Sequence, residues 1–189
     1  AVGQKVQLRA GGFDFRTYTP FAWTGDEVSL LVALDATGPG TALVRSLAPG
    51  AVVSAMGPSR AVDLAKVTTA PLFVGDETSI ALGAAWEAAG PVPAAGHLYE
   101  VGDPAAVAPV CERFGVPGPS LVARRDDDAH LADLAAEVAD QVRAAPDAVV
   151  VLTGKAQTIR AVRGALKDAG LAPAVKVKAH WDPRRSGLD

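Results

Sequence analysis

The chain has 189 residues, of which 49% are hydrophobic and 21% charged, with a net charge of −3. That length allows one large domain or two small ones, and the apolar share can build a sizeable core. The acidic balance argues against a nucleic-acid partner, and Cys111, the only cysteine, excludes an internal disulfide and cysteine-held clusters. No apolar run reaches the roughly 20 residues of a membrane-spanning helix. A cytoplasmic location is expected from the absence of a signal peptide and of disulfides. The chain opens on Ala1, directly into a strand-like stretch, so an N-terminal piece is expected to be missing.

Residues 1–67 carry short β-rich runs at 5–8, 15–19, 27–34 and 51–55. Gly11-Gly12, Thr24-Gly25-Asp26, Gly38-Pro39-Gly40 and Pro49-Gly50 separate them, which predicts an antiparallel barrel or sandwich. In Phe15-Arg16-Thr17-Tyr18-Thr19-Pro20, strand alternation turns Arg16 and Tyr18 to one side and Thr17 and Thr19 to the other. A guanidinium beside an aromatic ring can hold a phosphate and stack on a planar ring. An ordinary strand with a surface arginine explains the same residues. Gly38-Pro39-Gly40-Thr41 leads into one or two helical turns, with Thr41 as the expected N-cap. Such a glycine-rich helix start either binds phosphate or is a plain turn and cap. Gly57-Pro58-Ser59-Arg60 reads as a turn in which Arg60 can add a phosphate contact.

From residue 68 to 189 the texture changes to alternating strands and helices. Apolar runs at 71–74, 97–101, 120–123, 148–152 and 175–177 predict strands, and helical spacing covers 127–143 and 156–169. This predicts a doubly wound parallel sheet as a second domain. The run Leu72-Phe73-Val74 breaks at Gly75, and Asp76-Glu77-Thr78 opens a helix at once. Strand ends of this kind hold ligands in open α/β sheets. Asp76 and Glu77 suit a helix N-terminus but repel a pyrophosphate, so capping without a ligand is an equal alternative. In Val175-Lys176-Val177-Lys178-Ala179-His180-Trp181, alternation sets Lys176, Lys178 and His180 on one face, and Arg184 and Arg185 follow. That face can attract an anionic chelate or simply protect an edge strand. Arg124 and Arg125, just after a predicted strand, read as surface arginines balancing residues 126–128. His97, His130 and His180 show no metal-ligand spacing, and no Ser–His–acid set is visible.

In this order the stretches resemble the siderophore-interacting proteins, flavin-containing members of the ferredoxin–NADP reductase superfamily. Arg16-Thr17-Tyr18-Thr19 is similar to the flavin motif Arg-x-Tyr-Ser/Thr. Gly38-Pro39-Gly40-Thr41 sits where the family holds the FAD pyrophosphate. Gly75-Asp76-Glu77-Thr78 is similar to the family's Gly-Asp-Glu-Thr, which replaces the Gly-Thr-Gly of ordinary relatives. Lys178-Ala179-His180-Trp181 resembles its closing segment. The resemblance implies a six-stranded flavin barrel, whose first strands are absent from this chain, and an NAD(P)H-type α/β domain. It further implies bound FAD and reduction of a ferric siderophore to iron(II), with NADPH, NADH or a ferredoxin as donor, no acid–base catalyst, and Arg124 and Arg125 as candidate partners of an NADPH 2′-phosphate. Arg16 would then bind FAD phosphate, Tyr18 would pack on the isoalloxazine, and Thr19 would face its reactive edge. Gly40 and Thr41 would hold the pyrophosphate, Gly75, Asp76, Glu77 and Thr78 would border the nicotinamide, and Lys178 with its neighbours would meet the siderophore. Two positions depart from the family: Phe21 where a basic residue is frequent, and Arg60 where a glycine is common. A flavin reductase with another acceptor, or a non-catalytic siderophore carrier, is the alternative.

Overall fold

The structure, a computed structural model, describes residues 2–34 and 37–184. Strand β1 (Gln4–Gly11) lies between β2 (Asp14–Tyr18) and β5 (Ala55–Arg60) in an antiparallel sheet. Val6 stands opposite Tyr18, and Leu8 opposite both Arg16 and Ala55. A separate hairpin joins β3 (Pro20–Thr24) to β4 (Glu27–Leu30), reversing at Gly25, whose φ is +58. Helix α1 (Pro39–Ser46) follows. These sheets form a partial, barrel-like antiparallel unit.

Three local expectations are corrected here. The strand expected at 51–55 instead begins at Ala55, and Gly57-Pro58-Ser59-Arg60 lies within β5, not in a turn. Proline has no N–H for a ladder, but β5 is an outer strand and its register with β1 slips between Lys5 and Gln7, beside Pro58. The N-cap of α1 is Gly38, with Pro39 in the first turn, so Thr41 is already inside the helix.

Five parallel strands follow: β6 (Pro71–Asp76), β7 (Gly96–Val101), β8 (Ser120–Ala123), β9 (Val149–Lys155) and β10 (Val175–Trp181). Their order is β10-β9-β6-β7-β8, so the winding reverses between β6 and β9. Helices α4 (His130–Ala144) and α5 (Ala156–Asp168) cover one face, packing Leu134, Val138, Val142, Val162 and Leu166 on Leu72, Val74, Leu98 and Val150. Helices α2 (Ile80–Ala89) and α3 (Pro104–Arg113) lie on the other, where Ile80, Ala84 and Cys111 pack on Tyr99 and Val101. Sequence periodicity misses α3 because Pro104 and Pro109 interrupt it; Asp103 nevertheless starts the helix by accepting from the N–H groups of Ala105 and Ala106. Helix α4 begins at His130, later than expected, after Asp128 takes a left-handed φ of +59. Helix α5 ends in a Schellman turn: Gly170, at φ +67, donates to Lys167, and Leu171 donates to Leu166.

The antiparallel unit is fastened to the parallel sheet by apolar contacts. Val62, Leu64 and Val67 are buried against Phe73, Leu82, Trp86 and Val151. Phe21 packs edge-on against Phe114, with centroids 4.9 Å apart, so an apolar side chain there has a core role. Among the described residues no helix is long and apolar enough to cross a membrane.

Candidate functional site

Two polar constellations form, one in each part of the chain. In the first, β2 runs beneath the start of α1, and alternation turns Arg16 and Tyr18 toward that helix. A Cβ placed on Gly40 would lie 2.8 Å from the Tyr18 hydroxyl and 3.2 Å from Arg16 Cγ. Only glycine lets the three come so close. The first turn of α1 has no acidic residue and no side-chain cap, so its leading N–H groups and dipole remain suited to an anion. The Arg16 guanidinium donates to the Phe15 carbonyl at 2.8 Å and lies 3.8 Å from Asp14. Burial raises the Tyr18 hydroxyl pKa, with the Arg16 charge opposing, so the phenol stays protonated. Thr19 follows β2 directly, and Thr17 lies within it. Arg60 is directed elsewhere and pairs with Asp63 at 3.5 Å.

The second constellation lies at the carboxyl ends of β6 to β10. Asp76, the last residue of β6, is fully buried. Its carboxylate accepts from the Thr78 N–H at 2.9 Å, the Thr78 hydroxyl at 2.5 Å and the Trp181 indole N–H at 2.7 Å. Ser79 closes a reciprocal capping box around a 3-10 turn, Glu77–Ser79, that leads into α2. Because the Thr78 hydroxyl gives its proton to Asp76, it accepts from His180 Nδ1 at 2.9 Å, which fixes the His180 tautomer. Burial lowers the His180 pKa, the Asp76 charge opposes that, and Lys178 adds to it. Alternation alone separates His180 from Trp181. A register shift between Ala179 and Trp181 lets both reach the Asp76–Thr78 loop.

Of the rest of this cluster the sequence suggested only Arg124, and as a cofactor partner, whereas the structure engages it with carboxylates of the chain. Glu100 is fully buried at the end of β7, accepting from His130 Nε2 at 2.5 Å and from the Thr158 hydroxyl. His130 Nδ1 accepts from the Arg125 N–H at 3.1 Å, which fixes its tautomer too. Arg124 donates to Glu77, lies 3.8 Å from Glu100 and stands 6.0 Å from the Trp181 ring. Burial lowers the Arg124 pKa, but the hydrogen bond and charge of Glu77, with Glu100 and Asp76, outweigh this and hold it raised. Lys155, buried beneath the Trp181 ring, pairs with Asp128 at 2.5 Å. One signal was available: Glu100 interrupts an apolar strand, and His130 lies on the apolar stripe with Leu134 and Val138.

Lys176 and Lys178 lie on the edge strand β10. The Arg184 N–H donates to Asp182 at 2.9 Å, and Arg185 lies outside the described residues. Gly75 is held against Ser79 and Thr153, where a Cβ would lie 2.2 Å from Ser79 Oγ. The structure thus joins Asp76, Glu77 and Thr78 to His180 and Trp181, and joins Arg16 and Tyr18 to Gly40.

No protein-family model and no curated protein matches the sequence. Solved structures do match the fold. The siderophore-interacting protein of Acinetobacter baumannii superposes with a TM-score of 0.71 at 12% identity, over 98% of this chain and 79% of that one. SipS, a siderophore-interacting protein of Aeromonas hydrophila, gives 0.68 at 17%, over 98% and 79%. A siderophore utilization protein of T. fusca gives 0.58 at 18%, over 100% and 82%. Antiparallel sheets followed by a five-stranded parallel sheet with helices, in this order and over nearly the whole chain, match the fold of the siderophore-interacting proteins.

Proposed function

We propose that this chain is an FAD-dependent reductase that passes electrons to a ferric siderophore and releases the metal as iron(II). The observation carrying this reading is the cradle of Arg16, Tyr18 and Gly40. The absent Cβ of Gly40 leaves its backbone close to the Tyr18 phenol and the Arg16 side-chain stem, beside a helix start free of acids. That donor set fits a dinucleotide flavin. Arg16 would bind a phosphate oxygen, the N–H groups of Gly40 and Thr41 would take the pyrophosphate, and the Tyr18 ring would lie against the isoalloxazine. Bound FAD supplies the exchange between a two-electron donor and a one-electron acceptor such as iron(III). Lys176 and Lys178 would draw an anionic chelate to the edge of the sheet. Iron(II) is a softer, less charged ion than iron(III), and hard oxygen donors hold it more weakly. The fold neighbours are siderophore-interacting and siderophore utilization proteins, and a ferric siderophore is the proposed substrate class.

The test starts from the visible absorption of the protein incubated with FAD and freed of unbound flavin. The reading expects a retained flavin band. Chemical reduction should bleach it, and a ferric siderophore should restore it while an iron(II)-selective chelator takes up colour. Absence of retained flavin, with saturable binding of the ferric siderophore, would replace reduction by carriage. The acids Asp76 and Glu77 at the strand ends favour that second reading.

A further inference from the structure

We infer that the crevice at the winding reversal, between β6 and β9, is closed to a nicotinamide dinucleotide, and that Asp76, fastened under Trp181, closes it. Open α/β sheets bind their ligand where the strand order reverses, outside the carboxyl ends. A dinucleotide needs two things there: backbone approach and free N–H groups for the pyrophosphate, and a cation where a 2′-phosphate is present. Among the described residues, neither is on offer between β6 and β9.

The space is filled from within. Gly154, at φ +90 on β9, has the Asp76 carboxyl carbon 2.6 Å from where its Cβ would stand. Its missing side chain therefore makes room for a carboxylate of the same chain. The glycine at the end of β6, Gly75, serves the Ser79 hydroxyl in the same way. Backbone donors at this turn are spent as well. Thr78 N–H is bonded to Asp76, and the Asp76 N–H meets Ser79 Oγ at 3.3 Å. Trp181 and His180 then cover the loop through their bonds to Asp76 and Thr78.

The charge balance points the same way. Three carboxylates, Asp76, Glu77 and Glu100, gather at the strand ends. Arg124 is engaged by Glu77 and Glu100, and Lys155 by Asp128. A pyrophosphate placed here would meet carboxylates with no uncommitted cation among these residues, in surroundings where water screens little. Helix α1 offers the contrast, with neither an acid nor a cap in its first turn. One helix start is left open to an anion and the other is sealed. The flavin of the reading above would then take electrons from a donor that seats no pyrophosphate between β6 and β9.

Calorimetric titration of the protein with NADH and with NADPH tests this, and flavin content is read separately from absorbance. Wild-type protein should show no saturable heat at millimolar nucleotide. The double variant Asp76→Thr/Glu77→Gly, which restores the Gly-Thr-Gly of ordinary relatives, should bind at least tenfold more tightly. Asp76→Ser keeps a capping oxygen while shortening and discharging the side chain, and it stands in if thermal unfolding shows the double variant unfolded. Saturable sub-millimolar binding by the wild type would overturn the inference. So would failure of a folded variant to gain affinity. Loss of flavin binding would sink the reductase reading and leave this result intact.

Discussion

Trp181 donates its indole N–H to the Asp76 carboxylate at 2.7 Å, fastening the edge strand β10 to the loop that leaves β6. The carboxylate also accepts from the Thr78 N–H and hydroxyl and from the Ser79 N–H of the capping box. Trp181→Phe keeps an aromatic ring for Arg124 and Lys155 but removes this bond. A hydrogen bond to a buried charge contributes about 1.5–3 kcal/mol, and that loss is expected in urea unfolding. An unchanged midpoint would show that the Thr78 and Ser79 donors suffice.

Arg124 is the cation that compensates Glu77 and faces the fully buried Glu100. Truncating one partner of a buried pair costs about 3–5 kcal/mol, and the lower end applies to Arg124 and Glu77, whose side chains are 22% and 12% exposed. Arg124→Ala should therefore destabilise far more than a surface arginine variant such as Arg143→Ala, whose pair with Asp140 is exposed. Equal melting temperatures for the two variants would refute this.

Gly83 lies in α2 against the buried pair His97 and Tyr99, and a Cβ there would stand 2.4 Å from the Tyr99 hydroxyl. Helix propensity alone would make Gly83→Ala stabilising by about 1 kcal/mol. Overpacking a dense core costs about 1–3 kcal/mol, and the His97–Tyr99 hydrogen bond at 3.1 Å would also be displaced. Net destabilisation is expected, measured by denaturant unfolding.

His97 sets a pH dependence. Burial lowers its pKa from 6.5, and the hydrogen bond and charge of Glu87 only partly oppose this. The unfolded chain therefore binds a proton that the folded one resists. Stability from His97 is complete above about pH 6.5 and is lost as pH falls from there toward the lower folded value. His180, also lowered, acts in the same direction. Unfolding free energies on either side of the histidine range should show this fall, and His97→Gln should reduce its slope. A slope unchanged in that variant would remove His97 as the cause.

Arg16→Ala tests the flavin cradle. Loss of one charge-assisted contact to phosphate, about 1.5–3 kcal/mol, corresponds to a fall of one to two orders of magnitude in FAD affinity. Arg16 is half-exposed and its bond is to its own neighbour's carbonyl, so thermal stability should change little. Equilibrium dialysis against FAD gives the affinity, and an unaltered value would take Arg16 out of the site.

Local periodicity made much of the architecture legible. Continuous apolar runs such as Leu72-Phe73-Val74 are what strands buried on both faces require, and the spacing of Leu131, Leu134, Val138 and Val142 is what a helix on that sheet requires. These signals act over a few residues, so the sequence by itself determined the alternation of strands and helices and the change of texture between the two parts. It also placed Arg16 beside Tyr18, because strand alternation is local. It could not show that Gly40 closes on them, that Pro58 sits in an outer strand, or that α3 forms across two prolines. Still less could it show that Asp76 is sealed by Trp181 or that Glu100 shares His130, Thr158 and Arg124. Those contacts depend on the order β10-β9-β6-β7-β8 and on one register shift near Trp181. Strand order and register are chosen by summed packing over the whole sheet, and only the tertiary structure decides them.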